Sequence, residues 1–458
     1  MISIWARIDE WCNTRRRHFS SGYLSPVEYE QRLEQEQQAQ TNYTTVRNLG
    51  VTSDYHAVKG WIGTMENRIR AISATPLRGF FQHIVDNSDF PIDIQMGSNH
   101  SLFETSGVLK RLLSRLVKSS LGVLGVFRVP KSPNEECDIF VSYNRFLHSS
   151  KPYMIILENP VALCNYSLFA IKSPVGKFRI KRLLADKQLL KIVCICHACR
   201  DTLGAVLGCS IPPEKVKAIY PYIPDDPILN VESVISRSSE PNIKLLFIAS
   251  GTRFISKGGL EILEAFKALR SQFNQVHLTI IANIRGLPSD VYQKIKDCAG
   301  ITLVEACLDF DSMRSIYRSH HVLLQPSSDD SCSLTVLEAM KAGLPVVASK
   351  LYAFPEMVED GRNGFLLEPK FWFFNRDNLP NPTVWNHRKS TLYSENIDEG
   401  LVGNLVNVVS RLITNRELLA SMSEYAFTRS NCEFGTDAIF NGWTSISDEL
   451  RITIDLEG

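Results

Sequence analysis

The chain has 458 residues, 44% of them hydrophobic and 22% charged, with a formal net charge of +1. At about 100–200 residues per domain, that length predicts two to four domains with ample material for buried cores. The composition excludes wholesale disorder, a collagen-like repeat and a coiled coil, and the balanced charge argues against a surface built to coat nucleic acid.

The amino terminus meets charges at Arg7, Asp9 and Glu10 before an apolar core can build, so it does not read as a signal peptide. No run reaches the roughly 18 apolar residues that would span a bilayer. Eleven cysteines, an odd number scattered through core-like segments, read as reduced thiols in a cytoplasmic protein. Cys194, Cys196, His197 and Cys199 contain one C-x2-C pair, but no second pair follows at zinc-site spacing, so a buried strand is the better reading and no metal is expected.

Residues 1–90 read as an extension, largely helical or irregular. Within its first 40 residues, the run from Trp11 through Arg15-Arg16-Arg17-His18, followed by Gly22 to Glu30, resembles the carboxy-terminal tail of an insertion-sequence transposase of the integrase-core type. The catalytic carboxylates of such an enzyme are not included, so the resemblance implies a fused remnant without strand transfer. An ordinary helical extension is the other reading, and residues 41–90 carry no motif.

Residues 91–224 and 243–458 alternate apolar runs with amphipathic helical patterns, the signature of α/β units around a parallel sheet. The polar stretch 225–242, with Pro227, Pro241 and the run Ser236–Ser239, reads as the linker between two such domains. In the first, Tyr153–Leu157 and Leu190–Cys196 have strand character, with a basic helical segment in Ser173–Ala185 between them. In the second, Ile243–Ser250, Val276–Ala282, Ile301–Glu305, His321–Gln325 and Pro345–Ser349 read as strands. Leu260, Leu263, Phe266 and Leu269 recur on one face of a helix after the first of these. The last helices are expected to pack back on the first domain.

Two constellations carry chemistry. Gly251 to Gly259 lies between a strand and a helix, where backbone N–H groups and the positive end of a helix dipole collect around an anion, and Arg253 and Lys257 add fixed charge there. It is not a Walker loop, because the G-x4-G-K-[ST] spacing is absent. Further on, Pro326 ends a strand, Asp330 sits in a polar loop, and Ser331, Cys332, Ser333, Leu334 and Thr335 surround the start of a helix that carries Glu338. Glu338 lies between Leu337 and Ala339, where an unpaired carboxylate is costly and a ligand hydroxyl would satisfy it.

Over Ile243 to Pro369, including the stretch from Phe354 to Leu367, these residues resemble glycosyltransferase family 4, a retaining family of the GT-B fold. The resemblance implies two Rossmann-like domains facing a cleft, with a nucleoside-diphosphate-sugar donor held mostly by the carboxy-terminal domain. It places Lys257 and Arg253 on the donor diphosphate, Asp330 on the donor sugar hydroxyls and Glu338 on the nucleotide ribose. Asp330, Lys257 and Arg253 are the implied catalytic residues. Gly251, Ser331, Cys332, Ser333, Leu334, Thr335 and Glu338 complete donor binding with them. The sequence departs from the family in using Asp for the first acid, and Ser331, Cys332 and Ser333 for the usual Gly-aromatic-Gly.

The first domain resembles the family only loosely. Glu158 and Asn159 stand where relatives often carry His, and no Gly-rich turn follows a first strand, Gly97 being the nearest candidate. Residues 108–191 hold 15 Lys/Arg and 5 Asp/Glu, so the overall +1 is a cancellation between a basic acceptor half and an acidic remainder. Val108–Val117 and Lys177–Lys191 are basic and amphipathic, which suits an anionic membrane face or an anionic acceptor, although a solvated helix face gives the same pattern. The expectation is a metal-independent enzyme without a cofactor, at the inner face of the plasma membrane, acting on a lipid-linked glycan acceptor in polysaccharide or lipopolysaccharide assembly. The alternative is a catalytically impaired nucleotide-binding protein whose first strand a fusion displaced; a nucleic-acid-binding role for Arg15–Arg17 ranks behind both, and nucleic acid is not an expected partner.

Overall fold

The computed structural model describes residues 68–97, apart from 78 and 86, and residues 127–457. The transposase-like run, the stretch Val108–Val117 and residues 98 and 99 beside Gly97 lie outside the described residues.

Two parallel sheets form the frame. The first has strand order β2-β1-β3-β4-β5-β6, with β1 Ile69–Ser73, β2 Ile92–Met96, β3 Ile139–Tyr143, β4 Tyr153–Leu157, β5 Leu189–Cys194 and β6 Val216–Ala218. Every residue of β3 and β4 is buried. Such continuous apolar runs are what parallel strands covered on both faces require.

This sheet begins inside the stretch that the sequence reading gave to an extension, so the boundary at residue 90 moves back to Ile69. The strand was hard to see because it is five residues long and interrupted by the exposed Arg70. It is therefore in place, paired with both β2 and β3. The turn after it is held by side chains instead of glycines. Ser73 Oγ donates to the Thr75 carbonyl at 2.6 Å, and the Tyr143 amide donates to Thr75 Oγ1 at 2.7 Å. Gly97 instead follows β2, where a Cβ would stand 2.7 Å from the Ser73 carbonyl oxygen.

The second sheet has order β12-β11-β10-β7-β8-β9, built from β7 Ile243–Ala249, β8 Val276–Ala282, β9 Ile301–Glu305, β10 Val322–Gln325, β11 Val346–Ser349 and β12 Gly364–Leu367. The helix Gly259–Gln272 buries Leu260, Leu263, Phe266 and Leu269 against it. Burying each such side chain contributes about 1.5–3 kcal/mol.

The connection 225–242 is more ordered than a polar linker. It contains the helix Val231–Arg237, started by a reciprocal capping box between Asn230 and Ser233. Buried Arg237 donates to the carbonyls of Arg318, Ala342 and Gly343 at 3.1, 3.0 and 2.7 Å, which docks this helix on the second domain. The final helix, Thr436–Glu457, crosses back to the first domain. Its Ile439, Trp443, Ile446 and Leu450 share one buried cluster with Ile69, Ile92 and Ile139.

The two domains also meet where their strands end. After β5, the helix His197–Leu207 has Cys196 as its N-cap residue, which makes no side-chain capping bond. Glu356, from the helix Phe354–Met357 after β11, takes that role from the other domain. It accepts from the His197 and Ala198 amides at 2.9 and 2.5 Å and from the Tyr220 hydroxyl. Cys194, Cys196 and Cys199 are fully buried beside this junction. Burial pushes the Cys196 and Cys199 thiols well above their ordinary values, which suits inert core groups.

Candidate active site

Ligands of open α/β sheets bind outside the carboxyl ends of the strands, and the residues singled out above gather there. Gly251–Arg253 forms a short 3-10 turn directly after β7. A Cβ on Gly251 would lie 2.1 Å from the Asn283 carbonyl oxygen, so only glycine lets the β7 and β8 turns approach this closely. Gly258, at φ 82°, tucks under Pro326 in the same way. These contacts aim the Arg253 and Lys257 side chains at the loop after β10.

That loop answers with two carboxylates. Arg253 Nη2 donates to the Asp329 carboxylate at 2.6 Å and to the Asp329 carbonyl at 3.0 Å. Lys257 Nζ donates to both carboxylate oxygens of Asp330, and Gln325 Nε2 donates to Asp330 Oδ2 at 3.0 Å. Burial alone would push Asp330 up; the Lys257 ammonium, and then the Arg253 guanidinium, hold it down at about 2. Asp330 is therefore an acceptor at any physiological pH. Asp329 and Gln325 are site residues that the sequence reading missed, although the Asp329-Asp330 doublet was a visible signal.

The helix Leu334–Lys341 points its amino end at this cluster, with Ser333 as N-cap. The Ser333 side chain makes no capping bond; its Oγ lies 2.7 Å from Thr335 Oγ1. Side chains thus leave the first amides of the helix uncapped, an arrangement that favours an anion. Ser331 and Cys332 fill the turn before the helix. Burial pushes the Cys332 thiol far above its ordinary value, which keeps it neutral.

Glu338 shares no bond with the cluster. It faces the helix Phe310–Ser319, where Tyr317 donates to Glu338 Oε2 at 2.6 Å. Burial raises Glu338, and the Tyr317 hydrogen bond only partly offsets it. Phe310, Arg314 and Tyr317 line the cavity beside it.

On the first domain, Glu158 closes β4 as a buried carboxylate. It accepts from the Tyr143 hydroxyl at 2.7 Å, the Tyr166 hydroxyl at 2.6 Å and Asn159 Nδ2 at 3.4 Å. The Glu158 amide in turn donates to Asn144 Oδ1 at 2.9 Å. Asn144, Asn165 and Tyr166 all have positive φ here, between 53° and 60°. Such backbone in non-glycine residues marks a locally over-determined corner. The site thus has a face of paired cations and carboxylates beside an open helix amino end on the second domain, and an acidic, hydroxyl-rich corner on the first. Among the described residues no cluster of three or more His, Cys, Asp or Glu could hold a metal ion.

Residues 242–371 match the family described as Glycosyl transferases group 1. Among curated proteins, the chain is 27% identical over 202 residues to the D-inositol 3-phosphate glycosyltransferase of Streptomyces scabiei, covering 41% of this chain and 45% of that protein. It is 30% identical over 123 residues to the lipopolysaccharide 1,2-N-acetylglucosaminetransferase of Salmonella typhimurium, covering 25% of this chain and 32% of that one. The chain thus spans less than half the length of these curated relatives.

Among solved structures, a glycosyltransferase from Rickettsia africae superposes with a TM-score of 0.52 at 14% identity, over 84% of this chain and 99% of that one. Anabaena Alr3699/HepE in complex with UDP and glucose gives 0.50 at 13% identity, over 84% and 100%. At such identities the likeness is one of fold, and the fold is GT-B: two Rossmann-like domains facing a cleft.

Proposed function

We propose that this protein is a retaining glycosyltransferase of the family 4 type, which moves a sugar from a nucleoside-diphosphate-sugar to a glycan acceptor in bacterial surface polysaccharide or lipopolysaccharide assembly. The observation that carries this reading is the grouping of Arg253, Lys257 and Asp330 at the open amino end of the helix Leu334–Lys341, inside a glycosyltransferase group 1 domain. UDP and glucose in the Anabaena structure, and the lipopolysaccharide acceptor in the Salmonella enzyme's name, agree with it.

The chemistry follows from these parts. Breaking the sugar–diphosphate bond leaves an oxocarbenium-like sugar and a leaving group with growing negative charge. Arg253, Lys257 and the helix amides meet that charge as preorganised electrostatics, a role that requires no metal or cofactor. Asp330, held ionised, accepts from donor sugar hydroxyls once the diphosphate draws Lys257 towards itself. Glu338 takes the ribose hydroxyls in exchange for Tyr317.

The acceptor side extends to the helix Pro174–Leu184. It exposes Val175 (54%) and Phe178 (68%) beside the exposed Lys177, Lys181 and Arg182. Apolar and cationic groups on one surface suit shallow insertion into anionic lipid and a lipid-linked acceptor. Among the described residues no helix is long and apolar enough to cross a membrane.

Thermal shift against UDP-, GDP- and ADP-sugars tests the donor reading. One nucleotide should stabilise the protein, and the effect should vanish in Lys257→Ala and Glu338→Ala. Indifference to all three would refute the reading. Binding without any hydrolysis or transfer would leave the impaired protein. Flotation with phosphatidylglycerol vesicles tests the membrane face: Phe178→Ser with Lys181→Glu should abolish binding, and equal binding to neutral phosphatidylcholine vesicles would refute the electrostatic part.

A further inference from the structure

The two cations that mark the donor site are already matched one for one. Arg253 is held by Asp329 and Lys257 by Asp330. Two positive and two negative groups sum to zero, yet a nucleoside diphosphate brings two or more negative charges. Unless the aspartates are displaced, the helix amides need further positive charge beside them to balance it.

Such a charge stands on the connection between β12 and the helix Glu399–Thr414. This segment, residues 370–398, is a strap closed on itself. Lys370 Nζ donates to Glu261 Oε1 at 2.8 Å, and the Asp398 amide reaches the same oxygen at 3.3 Å. The strap carries one short helix, Pro382–Asn386. Between its ends the strap touches both sides of the cleft. The Phe371 amide donates to Ser328 Oγ at 3.2 Å, next to Asp329. Trp385 Nε1 donates to the Tyr166 carbonyl at 3.1 Å, beside the Glu158 corner.

Arg388 lies on this strap. Its guanidinium packs 4.9 Å from the ring centres of both Phe373 and Trp385, which stack 4.0 Å apart, and its Nε donates to the Trp385 carbonyl at 3.3 Å. Among the described residues it forms no ion pair within 4.0 Å. Burial lowers its affinity for the proton, Asp329 opposes this most strongly, and Arg253 and Tyr166 are also within electrostatic reach. The rings fix the cation on the strap, within electrostatic reach of Asp329, and its remaining N–H donors are left for a ligand.

We infer that Arg388 is a third donor-binding cation, whose guanidinium engages the diphosphate of the nucleotide and provides the net positive charge that the paired Arg253 and Lys257 do not. The inference rests on the donor reading above and adds a residue from the strap to it.

Calorimetric titration of the full chain with UDP, GDP and ADP, and with the matching monophosphates, tests it. The wild type should prefer one diphosphate over its monophosphate. Arg388→Ala should bind that diphosphate at least about tenfold more weakly, a loss of about 1.4 kcal/mol, with monophosphate affinity nearly unchanged. Arg388→Lys should recover part of the difference. An unchanged diphosphate affinity in Arg388→Ala, with Lys257→Ala defective, overturns the inference while leaving the donor site intact. An equal loss for both nucleotides makes Arg388 a brace of the strap and also overturns it. A wild type that binds none of the six nucleotides removes the donor site itself, and the inference with it.

Discussion

Replacing Glu356 by alanine should release the first turn of the helix His197–Leu207, although the two lie 158 and 159 residues apart in sequence at their bonded amides. The carboxylate does three things at once. It caps two amides of a helix whose own N-cap residue, Cys196, makes no capping bond, and loss of a cap costs about 1 kcal/mol. It places a negative charge at the positive end of the helix, about 0.3–1 kcal/mol more. It also satisfies the half-buried Tyr220 hydroxyl, whose orphaning costs about 1–3 kcal/mol. Together these come to about 3 kcal/mol, or roughly a hundredfold in a local opening equilibrium. Hydrogen exchange read by mass spectrometry over residues 195–203 measures this opening directly and avoids the two-state assumption that multidomain unfolding violates. Glu356→Ala should exchange about a hundredfold faster there, while β7 and β8 stay unchanged. Glu356→Gln, which keeps one good acceptor, should fall between. Exchange within about threefold of wild type in Glu356→Ala would refute the capping argument, because about 0.6 kcal/mol is what a mere surface substitution produces.

Acid should weaken the proposed donor site through Asp330. Its folded value of about 2 lies below the ordinary 3.8, so the stabilisation is present above about pH 4 and is lost as pH falls through 2. Asp330→Asn should flatten that acid limb in thermal melts, and an unchanged limb would remove the Lys257 pair as its cause. Glu338 goes the other way. Its carboxyl is raised by burial, so Glu338→Gln should raise the melting midpoint of the unliganded protein by about 1–3 °C while abolishing the nucleotide-induced shift. A lower midpoint would mean that the Tyr317 bond outweighs desolvation. Glu261→Gln breaks a buried ion pair and should cost about 3 kcal/mol, whereas Glu261→Leu with Lys370→Met should recover most of it. Limited proteolysis within 370–398 reads the difference, and resistance in Glu261→Gln would contradict the pinning.

Elements whose partners lie nearby in sequence, or whose burial is two-sided, were legible from the residues alone. Tyr153–Leu157, Val276–Ala282 and Ile301–Glu305 have the bounds expected from their apolar runs. Very short strands, such as Ile69–Ser73 with its exposed Arg70 and the four-residue Gly364–Leu367, were not, because four or five residues hold too few periods to register. The site shows the same division. Arg253, Lys257 and Asp330 announced themselves by charge next to turn and helix signals. Glu261 did not: it interrupts an apolar helix face, and its partner Lys370 lies 109 residues away. Arg388 sits in a stretch without periodicity, and only the folded strap brings it within electrostatic reach of Asp329. Long-range ion pairs have no local pattern to find.

The closure of the strap by Glu261 has a bearing on how this fold can change. With Lys370 and Asp398 fastened to one carboxylate, the intervening chain leaves and re-enters the domain at a single point. For a loop so tied, doubling its length adds only about 0.6 kcal/mol of closure entropy. Outside the buried Phe373, Phe374, Val384, Trp385 and Leu392, residues between the two anchors can therefore be lengthened, shortened or exchanged without disturbing β12 or the helix that follows. An exchangeable element of this kind, seated against both the Ser328–Asp330 loop and the opposite wall, lets ligand preference diverge while the two sheets stay as they are.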